Sequence, residues 1–272
     1  MRKLNELIVL IRGGGSVGSA IAQRLTHSHF RLCITETASP TAISRGVSLS
    51  EAIYDTQKVV EDITGERSLP NLEQIYKAWR NDKIPVTADP EISVRALLKP
   101  DVLVNAMMLK RETNIHITDA PLVIGIGPGF AAGGDVHMVV ESNPGRSLGK
   151  VIVEGHTEPE TPVSGDFAGV VSEKVIKATD SGVFTTGKNI GDVVLAKDII
   201  GYLNEQPIDA PISGVLRGIL RDQTKVLANV RLAAIDPVGD KNSCIQVSDK
   251  NRAVAGGVLE AIMLSFNVAE GT

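Results

Sequence analysis

Gly13, Gly15 and Gly18 follow the spacing G-x-G-x-x-G, which suits the holding of a pyrophosphate. In that arrangement Gly13 permits a tight turn, Gly15 lets the backbone approach the phosphates, and Gly18 lets the following helix sit close to its strand. Gly14 completes the turn, and Arg12 just before it can reach a phosphate oxygen. Glu36 stands 18 residues beyond Gly18, where a carboxylate can accept hydrogen bonds from ribose hydroxyls. A second unusual stretch runs from Gly127 through Pro128 and Gly129 to His137, and its glycines imply special backbone angles. Within it, Asp135-x-His137 is spaced for an acid/base pair or half a metal site if it lies on a strand. The plainer alternative is a loop rim in which Asp135 hydrogen-bonds His137. No third ligand accompanies them, so no metal is expected. His156, between Glu154 and Glu158, reads as solvent-facing.

Positioning these residues requires a particular set of elements. Leu7 to Ile11 is a continuous apolar run, as expected of a parallel strand covered on both faces. Ser19 to Leu25 then has a helical period, and Phe30 to Thr35 is a second strand ending at Glu36. Strand, glycine turn, helix, strand and acid make a βαβ unit. Beyond it, Ser50 to Thr56 contains a turn of helix, and Lys58 to Ile63 alternates like an exposed strand. Asn71 to Arg80 spaces Leu72, Ile75, Tyr76 and Trp79 as one helix face, with Asn71 as its cap. Ile84 to Val86, Asp101 to Ala106 and Pro121 to Gly127 read as further strands, with a short helix over Ile92 to Leu98. In a doubly wound sheet, ligands bind outside the carboxyl ends of the strands. The residues expected there are Gly13, Gly15, Glu36, Asn105, Lys110, Gly127 and Gly129.

From Lys177 to Asp236 the texture changes to short strands and turns, with an internal repeat at an offset of 32 residues. Ala178 matches Ala210, Ser181-Gly182-Val183 matches Ser213-Gly214-Val215, and Val194-Leu195-Ala196 matches Val226-Leu227-Ala228. Two such halves resemble the barrel-sandwich halves of biotinyl and lipoyl domains. Those carriers place a lysine on the joining hairpin, and Gly201 to Pro207 has none. A scaffold, lid or docking surface is therefore expected rather than a carrier. A final helix near Arg252 to Phe266, capped by Ser248 or Asp249, carries Gly256-Gly257, which close packing would explain. The expected architecture is α/β. It comprises a Rossmann-like parallel sheet domain over 1–164, an all-β barrel-sandwich-like module over 165–240, and a helical segment over 241–272 packing on the rest.

Composition narrows the class without giving an activity. The 272 residues carry 28 basic and 32 acidic side chains. That balance argues against a nucleic-acid partner, whose phosphates need a basic face. No apolar run approaches the length of a membrane span, and Leu7 to Ile11 leads into Arg12 and glycines rather than a cleavage site. Cys33 and Cys244 cannot make a disulfide framework, and the expected location is the cytoplasm.

Taken together, these segments resemble the selenium-dependent molybdenum hydroxylase accessory-protein family. The resemblance rests on Ile11-Arg12-Gly13-Gly14-Gly15, Ile34-Thr35-Glu36, Val47 to Ala52 and Gly127-Pro128-Gly129-Phe130. It continues through Asp135-Val136-His137, Ala210 to Gly218, Ser248-Asp249-Lys250 and Gly256 to Ala261. Xanthine dehydrogenase accessory factors look like more distant relatives. The resemblance implies a role in maturing molybdenum hydroxylases that carry a labile selenium, with the client hydroxylase as partner. Joined to the glycine turn, it points to a nucleotide-bearing small molecule, either a molybdopterin dinucleotide or NAD(P). The alternatives are an NAD(P)-dependent oxidoreductase and a non-enzymatic docking adaptor, and a homo-oligomer stays open.

Overall fold

The computed structural model describes residues 3–108, 114–159 and 174–267. The chain divides into two compact units. Unit 1 comprises Met1–Pro40, Ser48–Pro162 and Val247–Thr272, and unit 2 comprises Thr41–Val47 and Val163–Gln246. The expected boundary at 164–165 falls outside the described residues.

Unit 1 is built on a mostly parallel sheet. Its strands are β1 (Ile8–Arg12), β2 (Arg31–Glu36), β3 (Gln57–Val60), β4 (Ile63–Ser68), β5 (Ile84–Ala88), β6 (Val102–Asn105), β7 (Leu122–Ile126), β8 (Met138–Val140) and β9 (Val151–Ile152). They lie in the order β3-β4-β5-β2-β1-β6-β7-β8-β9. The strands from β4 to β8 run parallel, and the edge strands β3 and β9 pair antiparallel. The central strands are apolar over most of their length because helices or loops cover both faces, with polar residues at their ends. Accordingly β6 and β7 are buried at every position.

The helices of unit 1 are α1 (Ser16–His27), α2 (Ala52–Asp55), α3 (Leu72–Arg80), α4 (Arg95–Leu98) and α5 (Asp249–Phe266). The side chain of Asn71 caps α3, accepting from the Gln74 N–H at 3.0 Å. Ile75 and Ala78 are the buried stripe of α3, whereas Tyr76 turns outward against the ring of Trp79. The Trp79 indole N–H donates to the Leu32 carbonyl at 2.6 Å and so ties α3 to β2. Lys58 to Ile63, expected as one exposed strand, is instead broken by a hairpin turn. Val60 pairs with Ile63, so Glu61 and Asp62 form the turn, and Glu61 takes a positive φ of 51°. Their carboxylates have a structural use. Gln23 of α1 donates to both, and Arg252 of α5 donates to both oxygens of Glu61. Ser248 caps α5, and Gly257 meets the chain closely there. A Cβ at Gly257 would lie 2.2 Å from the Gly149 carbonyl oxygen.

Unit 2 holds β10 (Lys174–Lys177), β11 (Gly182–Thr185), β12 (Val193–Val194), β13 (Ile199–Leu203), β14 (Gln206–Asp209), β15 (Gly214–Ile219), β16 (Thr224–Val226) and β17 (Arg231–Asp236). They form two four-stranded antiparallel sheets, β10-β17-β15-β12 and β14-β13-β11-β16. No closed barrel occurs among the described residues. Both sheets feed one apolar core, which includes Phe184, Ile200 and Leu203 from one and Leu216, Ile219 and Ile235 from the other. Advancing by 32 residues carries β10 to β14, β11 to β15, β12 to β16 and β13 to β17, and so turns one sheet into the other. Hydrogen bonds obey the same shift: Ala196 N–H donates to Ser213 Oγ, and Ala228 N–H donates to Ser181 Oγ. The β13–β14 hairpin joining the halves turns at Asn204 and Glu205, with no lysine.

Candidate functional site

The glycine turn lies at the carboxyl end of β1 and opens directly into α1. Gly13 has φ +100°, a conformation that side chains rarely adopt, and its N–H donates to the Thr35 carbonyl at 2.8 Å. Gly18 sits where a Cβ would come 1.9 Å from the Gly13 carbonyl oxygen, so the first turn of α1 packs directly onto the loop. Gly14 is held from two sides. Its carbonyl accepts from the Ser50 N–H and the Ser19 hydroxyl, and its N–H donates to Glu36 Oε2 at 2.9 Å. Gly15 differs from the others. A Cβ there would have no heavy atom within 4 Å, and its backbone (φ −66°, ψ −173°) suits any residue. No side chain caps α1. The amino terminus of a three-turn helix therefore faces open space, with its N–H groups and the positive end of its dipole directed outward.

Glu36 is placed at this turn, where its carboxylate binds the backbone. One oxygen accepts from Gly14 N–H and the other from Thr37 N–H at 2.8 Å. Burial raises its carboxyl above the ordinary 4.5, against the lowering effect of those N–H donors. A folded value above the unfolded one means that folding favours the protonated form. That contribution is complete below about 4.5 and is lost as pH rises through the raised value. The stability of the wild type relative to Glu36→Gln is therefore expected to fall as pH rises through that window, measured by urea unfolding at a series of pH values. A difference that grows with pH would contradict this.

Arg12, the last residue of β1, donates from Nη2 to the Pro90 carbonyl at 3.0 Å. Its Nε and Nη1 are buried without a hydrogen-bond partner. Burial lowers its pKa, while Glu91, Asp119 and Asp89 act in the opposite direction. Gly127 directly follows β7 with φ +73°, and Gly129 comes after it with φ +107°. The segment after β6 runs between the two glycine turns: Met107 abuts Gly13, and Met108 lies beside Gly127. The structure thus brings Arg12, Gly13, Gly14, Gly15, Gly18, Glu36 and Gly127 to the same edge of the sheet. Lys110 lies outside the described residues.

Asp135 and His137 belong to the opposite edge. Asp135 Oδ2 accepts from the Ala131 N–H and closes a turn. His137 Nδ1 accepts from the Val123 N–H at 3.0 Å, near the amino end of β7, and burial lowers its pKa. His137 lines a cleft of about 810 Å³ together with Arg95, Lys99, Asp101 and Asp119. Among the described residues, no group of three or more His, Cys, Asp or Glu side chains could hold a metal ion. Cys33 and Cys244 are both buried free thiols whose pKa burial pushes up. Among the described residues, no helix is long and apolar enough to cross a membrane.

Two buried polar groups lie at the carboxyl edge: Asn105, which the sequence placed there, and Thr35, which sequence reasoning missed. Asn105 is buried, with Oδ1 accepting from the Met107 N–H and Nδ2 unpaired. Thr35 is fully buried with Oγ1 unpaired. The signal available was their position: each is a polar residue at or next to the end of an apolar strand.

The architecture is that of a mixed α/β protein with a nine-stranded, mostly parallel sheet and two antiparallel sheets. Over 257 residues the chain is 37% identical to the uncharacterized protein YqeB of Escherichia coli (strain K12), covering 94% of this chain and 47% of that one. The chain thus spans about half the length of the curated relative it matches. No family model and no solved structure matches it.

Proposed function

We propose that unit 1 is a Rossmann-like module that holds a pyrophosphate-bearing cofactor at its glycine turn, in the service of molybdenum hydroxylase maturation. The observation carrying the cofactor reading is the open space at Gly15, before an uncapped helix of 12 residues. Gly13 and Gly18 have reasons within the fold for lacking a side chain. Gly15 has none, and a closely approaching phosphate supplies one. Strand order supports the same place. From β1 the chain passes to β2 on one side and returns through β6 on the other, which makes the β1/β6 junction a topological switch point.

Gly13, Gly15 and the first turn of α1 would hold the phosphates, with Arg12 beside them at the same edge, while Glu36 fixes Gly14 and shapes the turn. Molybdopterin dinucleotide and NAD(P) both contain the pyrophosphate that this arrangement suits. The resemblance to selenium-dependent hydroxylase accessory proteins favours the first, carried as cargo while it is modified or passed to a client apo-hydroxylase in the cytoplasm. Unit 2, read as a barrel-sandwich-like module without a carrier lysine, would be the docking surface. Thermal unfolding with NAD(H), NADP(H), CDP and CTP tests the cofactor reading. A ligand at about 100 times its Kd adds roughly 2.7 kcal/mol of stability. A stabilising shift with at least one of them is expected, and none with any would overturn it.

A further inference from the structure

The carboxyl edge carries a second arrangement that the glycine turn does not use. Arg12 pairs in register with Thr35 of β2 on one side and with Asn105 of β6 on the other. Residues in register on adjacent strands point to the same face of a sheet, so the three side chains form one row across β2, β1 and β6. The same face below them is apolar, with Cys33, Leu10 and Leu103 one step back along each strand. Thr35 is 0% exposed and Asn105 1%, and Arg12 is the partly exposed member through which a ligand reaches the row.

The atoms left without partners share one chemistry. They are Arg12 Nε and Nη1, Asn105 Nδ2 and Thr35 Oγ1. The nitrogens can only donate, and the hydroxyl donates as readily as it accepts. Buried donors are ordinarily paired, because an unpaired one lowers stability. The acceptor that matches a guanidinium flanked by an amide and a hydroxyl is an oxyanion with several oxygens. Asp89, whose oxygens accept from Ser93 and Val94, does not fill that role, and neither Glu91 nor Asp119 hydrogen-bonds Arg12.

We infer that Thr35, Arg12 and Asn105 form an oxyanion-binding row that takes a phosphate group of the ligand, separate from the phosphates at the α1 amino terminus. The inference deepens the cofactor reading and rests on it for the ligand's approach to this edge.

Inorganic phosphate is the probe, titrated calorimetrically into the full chain and into three variants. Thr35→Val keeps the shape and removes one donor, so phosphate affinity is expected to fall about tenfold. The melting temperature should stay level or rise, because an unpaired hydroxyl has been replaced by a methyl. Asn105→Asp keeps the acceptor for Met107 N–H and places a carboxylate beside Arg12, and phosphate binding should be lost. Gly15→Glu leaves the three side chains of the row unaltered, so the phosphate binding that Asn105→Asp removes should persist in it. Loss in Gly15→Glu alone would place the anion at the turn, keeping the cofactor reading and overturning the row. Equal binding by all variants, an adventitious ion only, would overturn the row, as would no binding by the wild type. A marked fall in melting temperature in Thr35→Val with unchanged affinity would make the row structural and overturn it too. Failure of every nucleotide to shift the melting temperature, with the phosphate results as expected, would remove the cofactor reading and leave the row standing.

Discussion

Gly18→Ala is expected to destabilise unit 1 by about 3 kcal/mol or more, the upper end for forcing extra volume into a packed site. The new methyl would stand 1.9 Å from the Gly13 carbonyl oxygen and 3.0 Å from its carbon. A side chain could rotate away from such a contact. Here the obstacle is backbone, and the backbone is itself fixed. Gly13 N–H is bonded to Thr35, and the next residue is held by Ser50, Ser19 and Glu36. Relief requires either lifting α1 off the sheet or breaking that set of bonds. The protein's single tryptophan, Trp79, lies in unit 1 and reports its unfolding in urea. A Gly18→Ala midpoint equal to that of the wild type would refute the packing argument.

Gly15→Glu, three residues earlier, is expected to do the opposite: spare the fold and remove ligand binding. Open space at the Cβ position and an ordinary backbone conformation leave the glutamate unstrained. A carboxylate near a helix amino terminus even gains a few tenths of a kcal/mol from the dipole. The same carboxylate occupies the place proposed for the phosphates and repels them. The stabilisation of about 2.7 kcal/mol expected from a ligand at 100 times its Kd should vanish, with the unliganded melting temperature unchanged. A ligand shift that survives in Gly15→Glu would exclude the turn as the binding site. Two glycines of one motif are thus separated, one required by packing and one by the ligand.

Local features were legible in the sequence where one physical cause dominated. The apolar run of β1, its glycine turn and the Asn71 cap each carry their own explanation. The 32-residue repeat was legible too, because it survives as matched residues as well as matched strands. Its extension to β10 and β14 was not, since Lys174–Lys177 and Gln206–Asp209 share only one residue type, the isoleucine at Ile176 and Ile208. Lys58 to Ile63 misled because a polar two-residue turn, Glu61 and Asp62, continues the alternation of the strands beside it. Tyr76 satisfies the helical period, yet smaller Ala78 takes the buried place.

The site was legible only in part, for a reason of distance along the chain. Nothing local shows that Glu36 reaches back to Gly14, although an acid at the end of a second strand marked it as worth attention. Still less does the sequence show that Thr35, Arg12 and Asn105 stand side by side, since that depends on the register of three strands. Asp135 and His137 stand two residues apart in sequence yet bond to different backbone groups, Ala131 and Val123. Spacing alone suggested a pair that tertiary structure does not make.

The most direct measurement is mass spectrometry of the small molecules released when the purified wild type and Gly15→Glu proteins are denatured side by side. The expected result is a pterin dinucleotide or nicotinamide dinucleotide from the wild type and none from Gly15→Glu. Release of no such compound from either protein, or of the same amount from both, would contradict a cofactor held at the glycine turn.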